Sequence, residues 1–139
     1  MSSRAVLFLA GLLGATGVTV GAYHAHGLEK ALNKRGLEES ELRRQLKNCG
    51  IAVRYTMYHA LALVGIGLLK LQKTSKLLSF AAAAMLTGWL LFCGGLFAMV
   101  AGVDQHWAII PTGGLAFIVG WSCLAFAGLQ FGQPKVEEV

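Results

Sequence analysis

The sequence predicts an all-α integral membrane protein, a four-helix bundle with an amphipathic helix in its first loop. Of its 139 residues, 55% are hydrophobic and only 14% are charged, whereas a soluble domain is about one quarter charged. The apolar residues also form long blocks. Leu77–Val103 and Trp107–Gln133 each run for 27 residues without a charge, and a membrane-spanning helix needs only about 20.

Two further blocks complete the set of four spans. Ala5–Tyr23 contains 19 uncharged residues, and Ile51–Leu71 contains 21 with only Arg54 and Lys70 interrupting. Both of these long side chains can extend to the membrane interfaces. We therefore expect one domain over residues 1–139, with spans at about 5–26, 51–72, 77–103 and 107–132. The first 22 residues also fit a cleaved signal peptide, but their glycine spacing favours a retained helix.

Small residues recur at helical spacing in these spans and predict close helix packing. Ala10, Gly14, Gly17 and Gly21 fall on one face of the first span. In lipid, such faces allow two backbones to approach closely. The third and fourth spans carry similar ridges. We expect the first span to end near His26-Gly27, with Gly27 as a left-handed cap.

The second span continues an amphipathic pattern that begins at about residue 38. Leu42, Leu46, Cys49 and Val53 share one face, which continues as Met57, Ala60 and Val64. His59 and Tyr55 lie opposite this stripe. An ionisable side chain within a bilayer usually faces a bundle interior or a wet cavity. We therefore predict that the His59 ring points inward, near Tyr55 and the start of the fourth span.

With four spans, the first and third loops share one side of the membrane. Most of the polar side chains that could take part in binding or catalysis lie on that side. The candidate polar cluster consists of His26, Arg54, Tyr55, His59, Asp104, His106 and Thr112.

Several roles are open for this cluster. His59 is either a structural histidine bonded to Tyr55, Thr112 or a backbone carbonyl, or a proton relay, a ligand contact or a metal ligand. No carboxylate or cysteine stands at ligand spacing from the histidines, so we expect no metal and no cofactor. No nucleophile stands at a recognisable elbow or dyad spacing, so we expect no enzyme activity. The three cysteines form no paired motif.

Four segments resemble one family of small membrane proteins. Residues 21–28 resemble its G-A-x-G-A-H-G-L signature, and residues 52–63 resemble its Y-x-M-Y/H-H-A-L-A-L segment. Residues 88–97 are similar to its G-x-x-L-F-S-G-S-L-Y stretch, and 110–121 to its T-P-x-G-G and G-W motifs. This is the domain-of-unknown-function-423, or transmembrane protein 256-like, family. His24 and Phe97 depart from its pattern, where Gly and Tyr are usual, and the first loop is longer here.

The resemblance implies a four-helix integral membrane protein and no particular activity. We expect a multi-pass protein of the bacterial cytoplasmic membrane or of an organelle membrane such as the mitochondrial inner membrane. Membrane lipids are the expected partners. The net charge of +5 lies at the ends of apolar blocks, which favours lipid head groups over nucleic acid. Two functions stay open: a scaffold that forms a homo-oligomer or joins a larger membrane complex, or a lipid- or ligand-binding or carrier protein with its site around His59.

Overall fold

Four long helices make up most of the chain that the structure describes. The computed structural model describes residues 1–104 and 106–131, and within these it is entirely helical apart from short connections. The helices are α1 (Ser3–Asn33), α2 (Glu39–Gln72), α3 (Lys76–Ala101) and α4 (Ile109–Gly128), each long and apolar enough to cross a membrane. The predicted fold class is confirmed. Gln105 and the predicted end of the fourth span at residues 132–134 lie outside the described residues.

The first helix does not end where the sequence suggested. The prediction of a left-handed cap at Gly27 is wrong, because His24–Leu28 form a π turn and the helix then continues through Glu29–Asn33. Burial of Leu28 and Leu32, which are 3% and 0% exposed, favours this continuation over a turn at Gly27. The chain reverses instead at Gly36, whose φ of 66° favours glycine.

The amphipathic segment and the second span form one continuous helix of 34 residues, α2. On its exposed first turns, Glu39 pairs with Arg43, and Glu41 pairs with Arg44. Arg44, followed by Gln45, lowers the pKa of the Glu41 carboxyl. These contacts stabilise the solvated end of the helix without anchoring it to the bundle.

The predicted apolar stripe on α2 is only partly buried. Val64 is 36% exposed, whereas Thr56 and Leu63 are fully buried. The reason is that α1 and α3 both pack on α2, from two directions, so the buried surface is wider than one narrow stripe. The bundle thus consists of the pair α1–α2 and the pair α3–α4, joined along α2 and α3.

Glycines set the distance between paired helices at specific points. A Cβ at Gly17 would lie 2.6 Å from the Met57 sulfur, and one at Gly113 would lie 2.4 Å from the backbone nitrogen of Phe92. Similar contacts would arise at Gly88 and Gly120. Not every glycine of the predicted ridges has this role, because a Cβ at Gly14 would meet nothing within 4 Å.

Two basic side chains satisfy carbonyl groups at helix ends. Nη1 of Arg35 donates to the Val100 carbonyl over 2.9 Å, next to Gly102, whose φ of 89° ends α3. Nζ of Lys73 donates to the Gln130 carbonyl over 2.8 Å, just after α4. Cations at helix C-termini also complement the helix dipole. The first loop and the connection between α2 and α3 are thereby attached to the bundle.

Candidate functional site

His59 is the buried polar centre of the bundle, with 3% of its surface exposed. Its Nδ1 lies 2.7 Å from the Tyr55 carbonyl oxygen, one turn earlier in α2. Its Nε2 lies 3.2 Å from Nε1 of Trp121 in α4. The ring stacks on Phe117, with a centroid separation of 3.4 Å and an interplanar angle of 14°. Three contacts therefore hold the imidazole in one orientation.

The two hydrogen bonds determine which nitrogen of His59 carries the proton. The Trp121 indole N–H can only donate, so Nε2 must accept. A carbonyl can only accept, so Nδ1 must donate to Tyr55. The ring is therefore the neutral tautomer protonated at Nδ1. An added proton on Nε2 would place two N–H groups against each other, which opposes a role in proton transfer at this site.

A second tryptophan satisfies the neighbouring polar group of α2. Nε1 of Trp89, in the π turn Trp89–Cys93 of α3, donates to Oγ1 of Thr56 over 3.0 Å. Thr56 is fully buried, and it lies three residues before His59 on the same face of α2. The two buried polar side chains of this span are thus each paired with an indole N–H from a different helix.

An open groove of about 890 Å³ runs beside His59, between α2 and α4. Its volume is within the range of about 300–1,000 Å³ that is usual for ligand pockets. Its wall is mainly aromatic and aliphatic. The residues that line it are Tyr55, Tyr58, His59, Leu61, Phe92, Pro111, Gly114, Leu115, Phe117, Ile118 and Trp121.

The aromatic rings of this wall brace one another. Tyr55 packs against Phe92 with ring centroids 4.8 Å apart and against Phe117 at 6.2 Å. Phe117 in turn meets Phe92 edge to face at 5.8 Å. Aromatic pairs at such distances contribute beyond the burial of their area. The groove is consequently a preformed, mainly apolar surface.

The structure brings together only part of the predicted polar cluster. Tyr55 and His59 are in contact, whereas Arg54 and Thr112 are exposed on the surfaces of α2 and α4. His26 lines a separate surface cavity with His24, Glu29 and Lys34. This separation follows from the continuation of α1 past Gly27, which carries His26 along the helix surface.

The third loop contributes little to the site around His59. Asp104 lies at a small polar cavity beside Arg35 and Arg44. His106 is exposed, and its Nδ1 accepts the backbone N–H of Ala108 over 3.3 Å. Across the described residues 1–104 and 106–131, no group of three or more His, Cys, Asp or Glu side chains is arranged to hold a metal ion.

Comparison with known proteins decides the family. The model of the family described as "Protein of unknown function (DUF423)" matches residues 20–114. The chain belongs to the DUF423 family. The match includes Tyr55, His59 and Gly113 and ends before Phe117 and Trp121, so the deeper α4 part of the groove, from Leu115 to Trp121, lies beyond it.

Relatives of this DUF423 protein are named membrane proteins. A "UPF0382 membrane protein" of Staphylococcus epidermidis is 34% identical over 129 residues, covering 92% of this chain and 98% of the relative. The "UPF0382 inner membrane protein YgdD" of Escherichia coli K12 is 26% identical over 138 residues, covering 99% and 98%. A "UPF0382 membrane protein" of Haemophilus influenzae is 30% identical over 126 residues, covering 89% and 93%. No solved structure matches the chain. This DUF423 chain is an integral membrane protein.

Sequence reasoning missed the α4 partners of His59 and the role of His24. Nε2 of His24 bonds the Leu46 carbonyl over 3.0 Å and so connects α1 to α2 in this DUF423 protein. A signal for Trp121 was present: it lies 14 residues after Trp107, about 21 Å farther along a helix. A tryptophan so far from the interface needs a buried acceptor for its N–H.

Proposed function

We propose that this protein is a non-catalytic membrane protein that binds a lipid-like molecule in the groove beside His59. The observation that carries the proposal is the preformed, aromatic-lined groove of about 890 Å³ between α2 and α4. Its wall includes Leu115 and Ile118, which are 61% and 63% exposed and so face the bilayer. An apolar molecule can enter from the side, from the membrane itself.

The hydrogen bonding of His59 supports binding over chemistry. Both ring nitrogens are occupied by groups of the protein, so neither is available as a base, a nucleophile or a metal ligand. The ring instead supplies a flat, neutral surface stacked on Phe117. A polar network that is fully satisfied rigidifies its surroundings, and rigidity of the wall lowers the entropic cost of binding.

The test uses a variant that fills the groove. A Cβ at Gly114 would lie 3.8 Å from the nearest atom of Phe92, which is ordinary contact, so Gly114→Phe places a ring in the groove without a backbone clash. Gly11→Phe is the matched control, because a Cβ at Gly11 meets nothing within 4 Å and no residue of α1 lines the groove. Ile118→Trp fills the same groove and serves as a second variant.

Native mass spectrometry of protein released from lipid nanodiscs provides the readout. We expect wild type and Gly11→Phe to retain bound lipid, and Gly114→Phe and Ile118→Trp to lose it, with all four proteins equally helical by circular dichroism. Equal retention by folded groove variants and control would overturn the proposal.

Assembly with itself or with a larger membrane complex is the second candidate. It is favoured by Gly11 and Gly14 on α1, where a Cβ meets nothing within 4 Å, because small outward-facing residues let another helix approach closely. Single-molecule photobleaching in nanodiscs at low occupancy tests it. Gly11→Leu with Gly14→Leu should convert oligomers to monomers, and a wild type that is monomeric throughout, with no co-purifying subunit, argues against assembly.

A further inference from the structure

We infer that the occupant of the groove is a glycerophospholipid, with one acyl chain against the aromatic wall and its phosphate bound by Arg54. This inference rests on the proposed groove binding and names its ligand class. It comes from three independent properties of the groove: its length, the charge at one end, and the lack of free polar groups at the other.

The groove has the length of one membrane leaflet. On α4 it extends from Pro111 to Trp121, and the ten helical steps between them span about 15 Å at 1.5 Å per residue. The hydrocarbon core of a bilayer is about 30 Å thick, so one leaflet contributes about 15 Å. Pro111 lies in the first turn of α4, which begins at Ile109. The groove therefore runs from the membrane interface to the midplane, as one acyl chain does.

A cation, Arg54, lies on the groove-lining face of α2, one turn before Tyr58. Arg54, Tyr58 and Leu61 are spaced i, i+4 and i+7, so they share one face of α2, and the last two line the groove. Arg54 is exposed, and no carboxylate among the described residues forms an ion pair with it. Its long stem can extend along apolar surface to the interface.

A guanidinium at this position suits a phosphate. Its planar fork of N–H donors matches two phosphate oxygens, which gives short, charge-assisted hydrogen bonds. The exposed Tyr58 ring, at 57%, lies one turn deeper on the same face and borders the acyl part of the groove. Arg54 therefore forms the head-group end of the site.

The deep end of the groove offers no partner for a polar ligand. The Trp121 N–H is used by Nε2 of His59, and Nδ1 of His59 is used by the Tyr55 carbonyl. A polar ring or sugar placed there would lose its hydrogen bonds to water without replacement, which is unfavourable. The polar part of the ligand must therefore lie at the Arg54 end, and the deep part must be a hydrocarbon chain.

The test separates the phosphate contact from the groove itself. Purified full-length protein in detergent is titrated with phosphatidylglycerol or with diacylglycerol of the same acyl chains, and binding is followed by native mass spectrometry. The variants are Arg54→Gln and, as a control, Arg43→Gln, which removes an exposed arginine of the same helix that pairs with Glu39.

We expect wild type and Arg43→Gln to bind phosphatidylglycerol about tenfold more tightly than diacylglycerol, the effect of one charge-assisted contact. Arg54→Gln should bind both lipids equally weakly. If Arg54→Gln keeps the preference, or if wild type has none, the phospholipid assignment fails while groove binding stands. If folded Gly114→Phe binds both lipids as wild type does, groove binding itself fails.

Discussion

Trp121 donates its indole N–H to Nε2 of His59 across 3.2 Å, linking the fourth helix to the second. This contact requires a neutral imidazole, because Nε2 must present a lone pair. It also places the imidazole face on Phe117 and makes it part of the groove wall. Of the roles that the sequence left open for His59, this geometry supports a structural histidine over a proton relay, while the ring also lines the groove proposed to hold a ligand.

Removing the indole N–H should destabilise the bundle. Trp121→Phe keeps an aromatic ring but leaves Nε2 of buried His59 without a donor, so we expect a loss of about 1–3 kcal/mol. Thermal or denaturant unfolding in a defined detergent measures this. Trp107→Phe is the control, since Trp107 is 81% exposed, and a similar loss in both variants would contradict the assigned role of the hydrogen bond.

The tautomer of His59 can be observed directly. With ¹⁵N-labelled histidine, we expect the Nδ1 of His59 to carry the proton and Nε2 to show the shift of an unprotonated nitrogen. Trp121→Phe removes the donor that holds this arrangement, so the preference for one tautomer should weaken. A wild-type spectrum with the proton on Nε2 would show that the Trp121 contact does not form.

The effect of each glycine substitution on stability should depend on the space around the added side chain. Gly113→Ala places a Cβ 2.4 Å from the Phe92 backbone nitrogen, which cannot move aside, so we expect destabilisation of about 1–3 kcal/mol. Gly17→Leu and Gly95→Leu should also destabilise, because their Cβ positions lie 2.6 and 3.0 Å from side chains of neighbouring helices. Gly11→Ala, in open space, should be neutral or slightly stabilising. Unfolding midpoints in detergent rank the stabilities of these variants. An equal effect of the substitutions at Gly11 and Gly113 would refute the prediction.

Arg35 should anchor the first loop to the end of α3. Arg35→Ala removes the donor to the Val100 carbonyl, and we expect a loss of about 1 kcal/mol together with faster hydrogen exchange at residues 98–103. Arg43→Ala, which breaks only an exposed ion pair, should leave both quantities unchanged. Unaltered exchange in Arg35→Ala would show that the contact does not hold the helix end.

The Glu41–Arg44 ion pair on α2 should give the stability of the protein a small pH dependence. Arg44 lowers the pKa of Glu41 in the folded protein, so this stabilisation is present above the ordinary pKa of a glutamate and is lost as the pH falls through the lowered value. The difference in melting temperature between wild type and Glu41→Gln should therefore disappear in acid. Glu38→Gln is the control. A difference in melting temperature between wild type and Glu41→Gln that grows as the pH falls would contradict this prediction.

Much of the fold could be predicted because it depends on local properties of the chain. The charge-free segments at residues 77–103 and 107–133 are long enough to span a membrane, whatever their position in the bundle. The amphipathic pattern from residue 38 likewise required a helix before the second span. The end of α1 was mispredicted, because a glycine favours a cap only when no buried contact beyond it favours helix, and Leu28 and Leu32 supply such contacts.

The candidate site was less predictable. The sequence placed His59 and Tyr55 together because they are one turn apart, and the structure shows that contact. It also grouped His26, Asp104 and Thr112 with them through shared membrane depth. Depth alone does not produce contact, since side chains at one level can face different directions around the bundle.

The sequence by itself determined that this is a four-span membrane protein. The bilayer fixes how long and how apolar a span must be, and both properties can be read directly from the chain. Only the tertiary structure decided that Trp121, 62 positions away, completes the hydrogen bonding of His59 and that a groove opens beside them. The physical reason is that helices apolar on every face carry little information about their rotation. That rotation is set by packing, through close approaches such as Gly113 on Phe92 and Gly120 on Met85.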